Sequence, residues 1–193
     1  MISTEPYKIH WDYWTNYYKH CDQIAMRGGV YGMTFHPTKP NDWQQPCEFE
    51  ETIYIGRSSG YYIDKQGKTK TKKRSHMHKR QTRHHKSLSA GEPQSKGFQL
   101  IKEKYGYGEK MLNGVITDMP LWLCIMIPSP SIRDEQVARW CASYEMNELL
   151  KYNLNFGRDP LGNMDCSPNK NADSFSSIRL RELKENSLQR FID

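Results

Sequence analysis

A chain of 193 residues and 22.7 kDa has room for one ordinary domain with a terminal elaboration, not for two full ones. A mean hydropathy of −0.88, with no apolar run near the roughly 18 residues that span a bilayer, excludes a transmembrane helix, and residues 1–14 carry no basic and apolar tandem of a secretory signal, so a cytoplasmic protein with no membrane partner is expected. The formal charge of +6 is unevenly spread: Lys65 to Lys86 holds seven lysines, three arginines and no acid, a local +10 that leaves −4 for the remainder.

Such a segment beside a near-neutral body suits a polyanion, because each phosphate it neutralises releases condensed counterions. A solvated helix face or a basic tail would have the same charge. The five cysteines, Cys21, Cys47, Cys124, Cys141 and Cys166, lie far apart with no CxxC pair and an odd total. They fit neither a disulfide framework nor a zinc ribbon and read as reduced structural thiols.

In chain order, residues 5–26 place Trp14, Tyr17, Tyr18, Cys21, Ile24 and Ala25 at helical spacing, which predicts an amphipathic helix packed on the domain. Gly28 and Gly29 introduce a β-prone run, Val30 to Phe35, closed by Pro37 and Pro40. Residues 51–56 alternate around Ile53 and Ile55 and predict a second strand, paired with the first through a long connection. Arg57 to Thr71 reads as a loop, then a helix from about Lys72 to Leu88 with Met77, His84 and Leu88 on one face. Ser89 to Ser95 reads as linker, Met119 to Ile127 as a buried strand, and Glu135 to about Tyr152 as a helix capped by Asp134. That helix carries Val137, Cys141, Tyr144, Glu148 and Tyr152 on one stripe, with Glu145 at its border. Acids on a core-facing stripe call for a compensating cation or basic partner. An Asn/Ser-rich stretch and a polar helix at about 178–191 close the chain.

Several of these residues form a pattern. Gly29-Val30-Tyr31 is followed, 23 positions after that tyrosine, by Tyr54-Ile55-Gly56; Arg80 and His84 sit one helical turn apart in HKRQTRHHKSL; Glu145 lies on a later helix; Pro160-Leu161-Gly162-Asn163 comes last. Together, over residues 28 to 163, the pattern resembles the GIY-YIG nuclease family. The resemblance implies an α+β fold, a small three-stranded antiparallel central sheet flanked by helices, over 28–165, with a helical extension at 1–27 and a polar tail at 166–193. It also implies a Mg²⁺-dependent DNA endonuclease, Mn²⁺ being the alternative metal, that leaves 5′-phosphate and 3′-hydroxyl ends.

By the same resemblance Tyr31 helps deprotonate the attacking water with His84 passing on the proton, Tyr54 orients water or phosphate, Arg80 binds phosphate oxygens, Glu145 holds the metal and Asn163 supports the site. The residue types suit the work: a phenol with a pKa near 10 needs help near neutrality, a guanidinium is a permanent planar fork, and Mg²⁺ needs only one or two protein carboxylates. Arg74 and His78 repeat the Arg80/His84 spacing one turn earlier, and Glu148 rivals Glu145. Arg57, Lys70, Lys72, Lys73, Arg74, Lys79, Arg83 and Lys86 are the expected DNA contacts. The size fits a compact restriction-like or phage-type enzyme, for which cutting both strands with one site per chain requires a homodimer. The alternatives are a homing endonuclease and a non-catalytic basic module whose tyrosines merely pack the sheet.

Overall fold

The computed structural model describes residues 5–17, 19–71, 77–89, 96–105, 115–116 and 119–164. Strand β1 (Lys8–Tyr13) runs into two single-turn helices, α1 (Trp14–Tyr17) and α2 (Cys21–Ile24). Strands β2 (Gly28–Phe35) and β3 (Thr52–Ser59) follow, separated by a long loop with a 3₁₀ turn at Pro46–Glu48. A small hairpin of β4 (Tyr61–Ile63) and β5 (Thr69–Thr71) leads to helices α3 (Met77–Ser89) and α4 (Lys96–Tyr105). Strands β6 (Val115–Ile116) and β7 (Met119–Ile127), helix α5 (Asp134–Phe156) and a 3₁₀ turn at Leu161–Asn163 complete the order.

The fold is mixed α+β. Its sheet is antiparallel in the order β1-β7-β2-β3, with the short β6 also paired to β7. The three expected strands are its centre and one edge; the fourth, β1, corrects both the three-stranded sheet and the helix expected over 5–26. Ile9, Trp11 and Tyr13 alternate with Lys8, His10 and Asp12, a period of two that lets the segment pair with β7 from Lys8↔Ile127 to Tyr13↔Trp122. Only the following turns are helical, and they bury Trp14, Tyr17 and Cys21. The described part of the expected N-terminal helical extension thus holds an edge strand, Lys8–Tyr13, ahead of its helical turns. Arg57 to Thr71 is likewise not a plain loop: it contains the end of β3 and the β4–β5 hairpin. Asp134 occupies the first turn of α5, with Arg133 at the cap. The helix expected at 178–191 lies outside the described residues.

Two cores cover the two faces of the sheet. On one, Tyr31, Met33, Ile53 and Ile125 pack with Trp14 and with Met77, Leu88, Phe98 and Ile101 of α3 and α4. On the other, Val30, Ile55, Cys124 and Met126 pack with Val137, Cys141, Tyr144 and Tyr152 of α5. The alternation along β2 therefore sends neighbouring residues to opposite layers. α5 ends at Gly157, whose φ of +68° is the left-handed conformation that glycine adopts at least cost. Among the described residues Cys21, Cys47, Cys124 and Cys141 are buried and form no disulfide. Among the described residues no helix is long and apolar enough to cross a membrane.

Candidate active site

The antiparallel register sets Tyr31 opposite Gly56 and Met33 opposite Tyr54, so both tyrosines project from the same face of β2 and β3. Their rings stack with centroids 5.9 Å apart. A Cβ on Gly56 would stand 2.5 Å from the Tyr54 ring and 2.8 Å from the Tyr31 hydroxyl, so the space between the phenols exists only because this position has no side chain.

Helix α3 crosses this face. Asp22 Oδ1 accepts from the His78 backbone N–H at 3.0 Å and anchors its first turn. Met77, Gln81, His84 and Leu88 turn inward, whereas Lys79, Arg83 and Lys86 are exposed along the opposite stripe. His84 Nε2 lies 2.9 Å from the Tyr31 hydroxyl, its ring is 4.7 Å from that of Tyr54, and it stacks on Phe98 of α4 at 5.0 Å with an interplanar angle of 8°. Burial, reinforced by the neighbouring Arg80 charge, depresses the His84 pKa to about 3. The imidazole is therefore neutral, and with its proton on Nδ1 its Nε2 accepts from the phenol.

Burial also raises the Tyr31 pKa well above the usual phenol value; Tyr54 and Glu145 add to this and Arg80 opposes it. Tyr54 is raised for the same leading reason, again with Arg80 opposing and Glu145 adding. Arg80 in turn is held more firmly protonated, first by Tyr31 and then by Tyr54 and Glu145. The charges of Arg80 and Glu145 are thus both felt at the phenol pair. Arg80 is an exposed residue one helical turn before the buried His84, and Tyr31 is buried beneath them.

Glu145 reaches the site from α5 past the edge strand β3. Its Oε2 lies 3.1 Å from Arg57 Nε, and its side chain keeps 20% of its surface accessible against 42% for Arg57. Burial raises its pKa, with Arg57 and then Arg80 opposing. Glu148 is one helical turn on and fully buried on the α5 stripe, where Lys151 Nζ lies 3.4 Å away and Cys47 also contacts it. That places Glu148 on the far layer of the sheet and Glu145 at the phenols. His78, the rival of His84, is exposed, and Arg74 lies outside the described residues.

Asn163 closes the arrangement without entering it. Its amide accepts from the Ile55 N–H at 2.8 Å and donates to the Ile55 carbonyl at 2.6 Å, gripping the backbone between Tyr54 and Gly56. Of the expected DNA contacts, Lys79, Arg83 and Lys86 share the outer stripe of α3, Lys70 is 3.9 Å from Asp64, and Arg57 is paired with Glu145. Lys72, Lys73 and Arg74 lie outside the described residues. The sequence reading assigned nothing to α4 and so missed Phe98, although Phe98, Ile101 and Tyr105 recur at helical spacing.

Among the described residues no group of three or more His, Cys, Asp or Glu side chains could hold a metal ion. The donor at the phenols is the single carboxylate of Glu145, which suits a hard cation that keeps most of its water and takes its remaining oxygens from a substrate. No protein-family model matches the chain, and neither a curated protein nor a solved structure matches it.

Proposed function

We propose that the chain is a Mg²⁺-dependent DNA endonuclease of the GIY-YIG type, a compact restriction-like or phage-type enzyme of the reducing cytoplasm that cuts both strands as a homodimer. The observation that carries this reading is the Tyr31–His84 contact of 2.9 Å with Tyr54, Arg80 and Glu145 gathered around it. These five residues come from four elements, β2, β3, α3 and α5.

In this reading a water seated at Tyr31 loses its proton to the phenol oxygen as the phenolic proton passes to His84 Nε2. No charged phenolate has to exist in the buried site, which its raised pKa disfavours. An arriving phosphate offsets the Arg80 charge that helps hold His84 neutral, so substrate binding makes the imidazole a stronger base. Arg80 binds the non-bridging oxygens, and Tyr54 orients the water or the phosphate. Glu145 would hold the Mg²⁺, which when bound supplies charge neutralisation and a Lewis acid. Asn163 keeps Tyr54 and Gly56 in register. Lys79, Arg83 and Lys86 would follow the phosphate backbone.

Plasmid nicking with and without EDTA tests this. Wild-type protein should nick only with the metal, and both Glu145→Ala and Arg80→Ala should abolish nicking, with Glu145→Ala retaining most of the DNA binding. Undiminished cleavage by Glu145→Ala would refute the metal role. DNA binding without cleavage under any metal would instead favour the non-catalytic basic module.

A further inference from the structure

Arg57 follows directly on the glycine of the site, and its guanidinium forms an ion pair with Glu145, Nε to Oε2 at 3.1 Å. The closest approach is made through Nε. The pair lies on the edge strand β3 and is partly accessible, the Arg57 side chain more so than the Glu145 side chain. A guanidinium stays charged at any working pH, so Glu145 is released only when another cation or a better anion competes.

We propose that Arg57 is a positioning latch: in the free protein it holds Glu145 Oε2, and on duplex binding it transfers to a DNA phosphate, freeing the carboxylate for the metal. This inference rests on the nuclease reading above, with Glu145 as the metal-holding carboxylate. A phosphate seated at Arg80 brings a competing anion toward Arg57, and planar guanidinium forks pair well with phosphate oxygens. The metal and Arg57 want the same oxygen, so each weakens the hold of the other, while DNA, by withdrawing Arg57, strengthens the metal. By linkage the metal strengthens DNA binding by the same factor. A partly accessible pair of this kind corresponds to a coupling of about 1.5- to fivefold. The arrangement favours DNA first and metal second.

The test uses the full-length chain in two titrations. In the first, Mn²⁺ is titrated without DNA and the free ion is followed by electron paramagnetic resonance. Arg57→Gln should bind Mn²⁺ about 1.5- to fivefold more tightly than wild type, Arg57→Lys should fall between them, and Glu145→Gln should lose the site. In the second, a fluorescein-labelled duplex is titrated in EDTA at several salt concentrations. Arg57→Gln should bind more weakly and lose about one from the magnitude of the salt slope. Unchanged Mn²⁺ affinity in Arg57→Gln, with the site lost in Glu145→Gln, overturns the latch and leaves the nuclease reading standing. Wild-type Mn²⁺ affinity in Glu145→Gln removes the metal ligand and overturns both. A salt slope unchanged by Arg57→Gln overturns the transfer to phosphate. Arg57 is half-exposed and outside both cores, so its variants should melt close to wild type, and Arg57→Lys provides a charge-retaining second variant.

Discussion

The neutral imidazole of His84 makes stability depend on pH in a calculable way. In the unfolded chain a histidine titrates near 6.5; in the folded protein burial and Arg80 lower the value to about 3. The unfolded chain therefore takes up a proton first. The contribution is fully present above pH 6.5 and is lost progressively as pH falls from 6.5 towards 3. Integrating the proton uptake between about pH 7 and pH 5 gives a loss of about 2 kcal/mol from this one residue. Other groups titrate in the same range, so the measurement is a difference: urea unfolding of wild type and of His84→Gln at both pH values. Glutamine can accept from the Tyr31 hydroxyl but does not titrate. Wild type should lose about 2 kcal/mol more than the variant on acidification. Curves for the two proteins that stay parallel within about 0.5 kcal/mol would show that His84 is not held neutral by its surroundings, and would remove the proton acceptor from the relay.

Three further outcomes follow from the geometry. Asn163→Ala should cost about 1–3 kcal/mol in urea unfolding, because it strips both Ile55 backbone groups of their partners, and hydrogen exchange at the Ile55 amide should accelerate. Gly56→Ala should force the phenols apart, with about 1–3 kcal/mol of destabilisation and a loss of nicking under conditions where the protein remains folded by near-ultraviolet circular dichroism. Replacing Lys79, Arg83 and Lys86 together by glutamine should reduce the magnitude of the log-log salt slope of DNA binding by about 3, read by fluorescence anisotropy; an unaltered slope would show that this stripe of α3 does not meet phosphates.

The parts of the fold legible in the sequence were those with an unambiguous period or a continuous apolar run. β2, β3 and β7 announce themselves by β-branched and aromatic runs between glycines and prolines, and α5 by a stripe from Val137 to Tyr152. β1 was misread because Trp14, Tyr17 and Cys21, which do sit in helical turns, lent their spacing to the alternating residues before them. Here the demand of β7 for an edge partner decides the conformation, and no local pattern expresses it. The β4–β5 hairpin was hidden in a Gly- and Lys-rich stretch with little apolar alternation.

At the site, the phenols and the Arg80/His84 pair were legible as a spaced motif. The choice of Glu145 over Glu148 was only partly so: the helical phase puts one acid at the border of the stripe and the other within it, and both are costly to bury. It is the partners, Arg57 for one and Lys151 with Cys47 for the other, that separate their roles. Arg57 and Cys47 lie on other elements, where spacing does not reveal them; only Lys151, three positions after Glu148 on the same helix, has a legible spacing. Phe98 was missed because α4 follows an interval with no motif to draw attention to it.

The amide of Asn163 has a consequence beyond holding the site. β3 is the outermost strand on its side of the sheet, and the Ile55 N–H and carbonyl that Asn163 engages are turned away from β2. An unguarded margin of this kind invites a strand from a second molecule to dock and extend the sheet, the first step towards aggregation. A side chain that imitates one peptide unit fills the central rung of that ladder, so the residue that grips the backbone beside Tyr54 also keeps neighbouring copies from zippering onto this margin of the sheet.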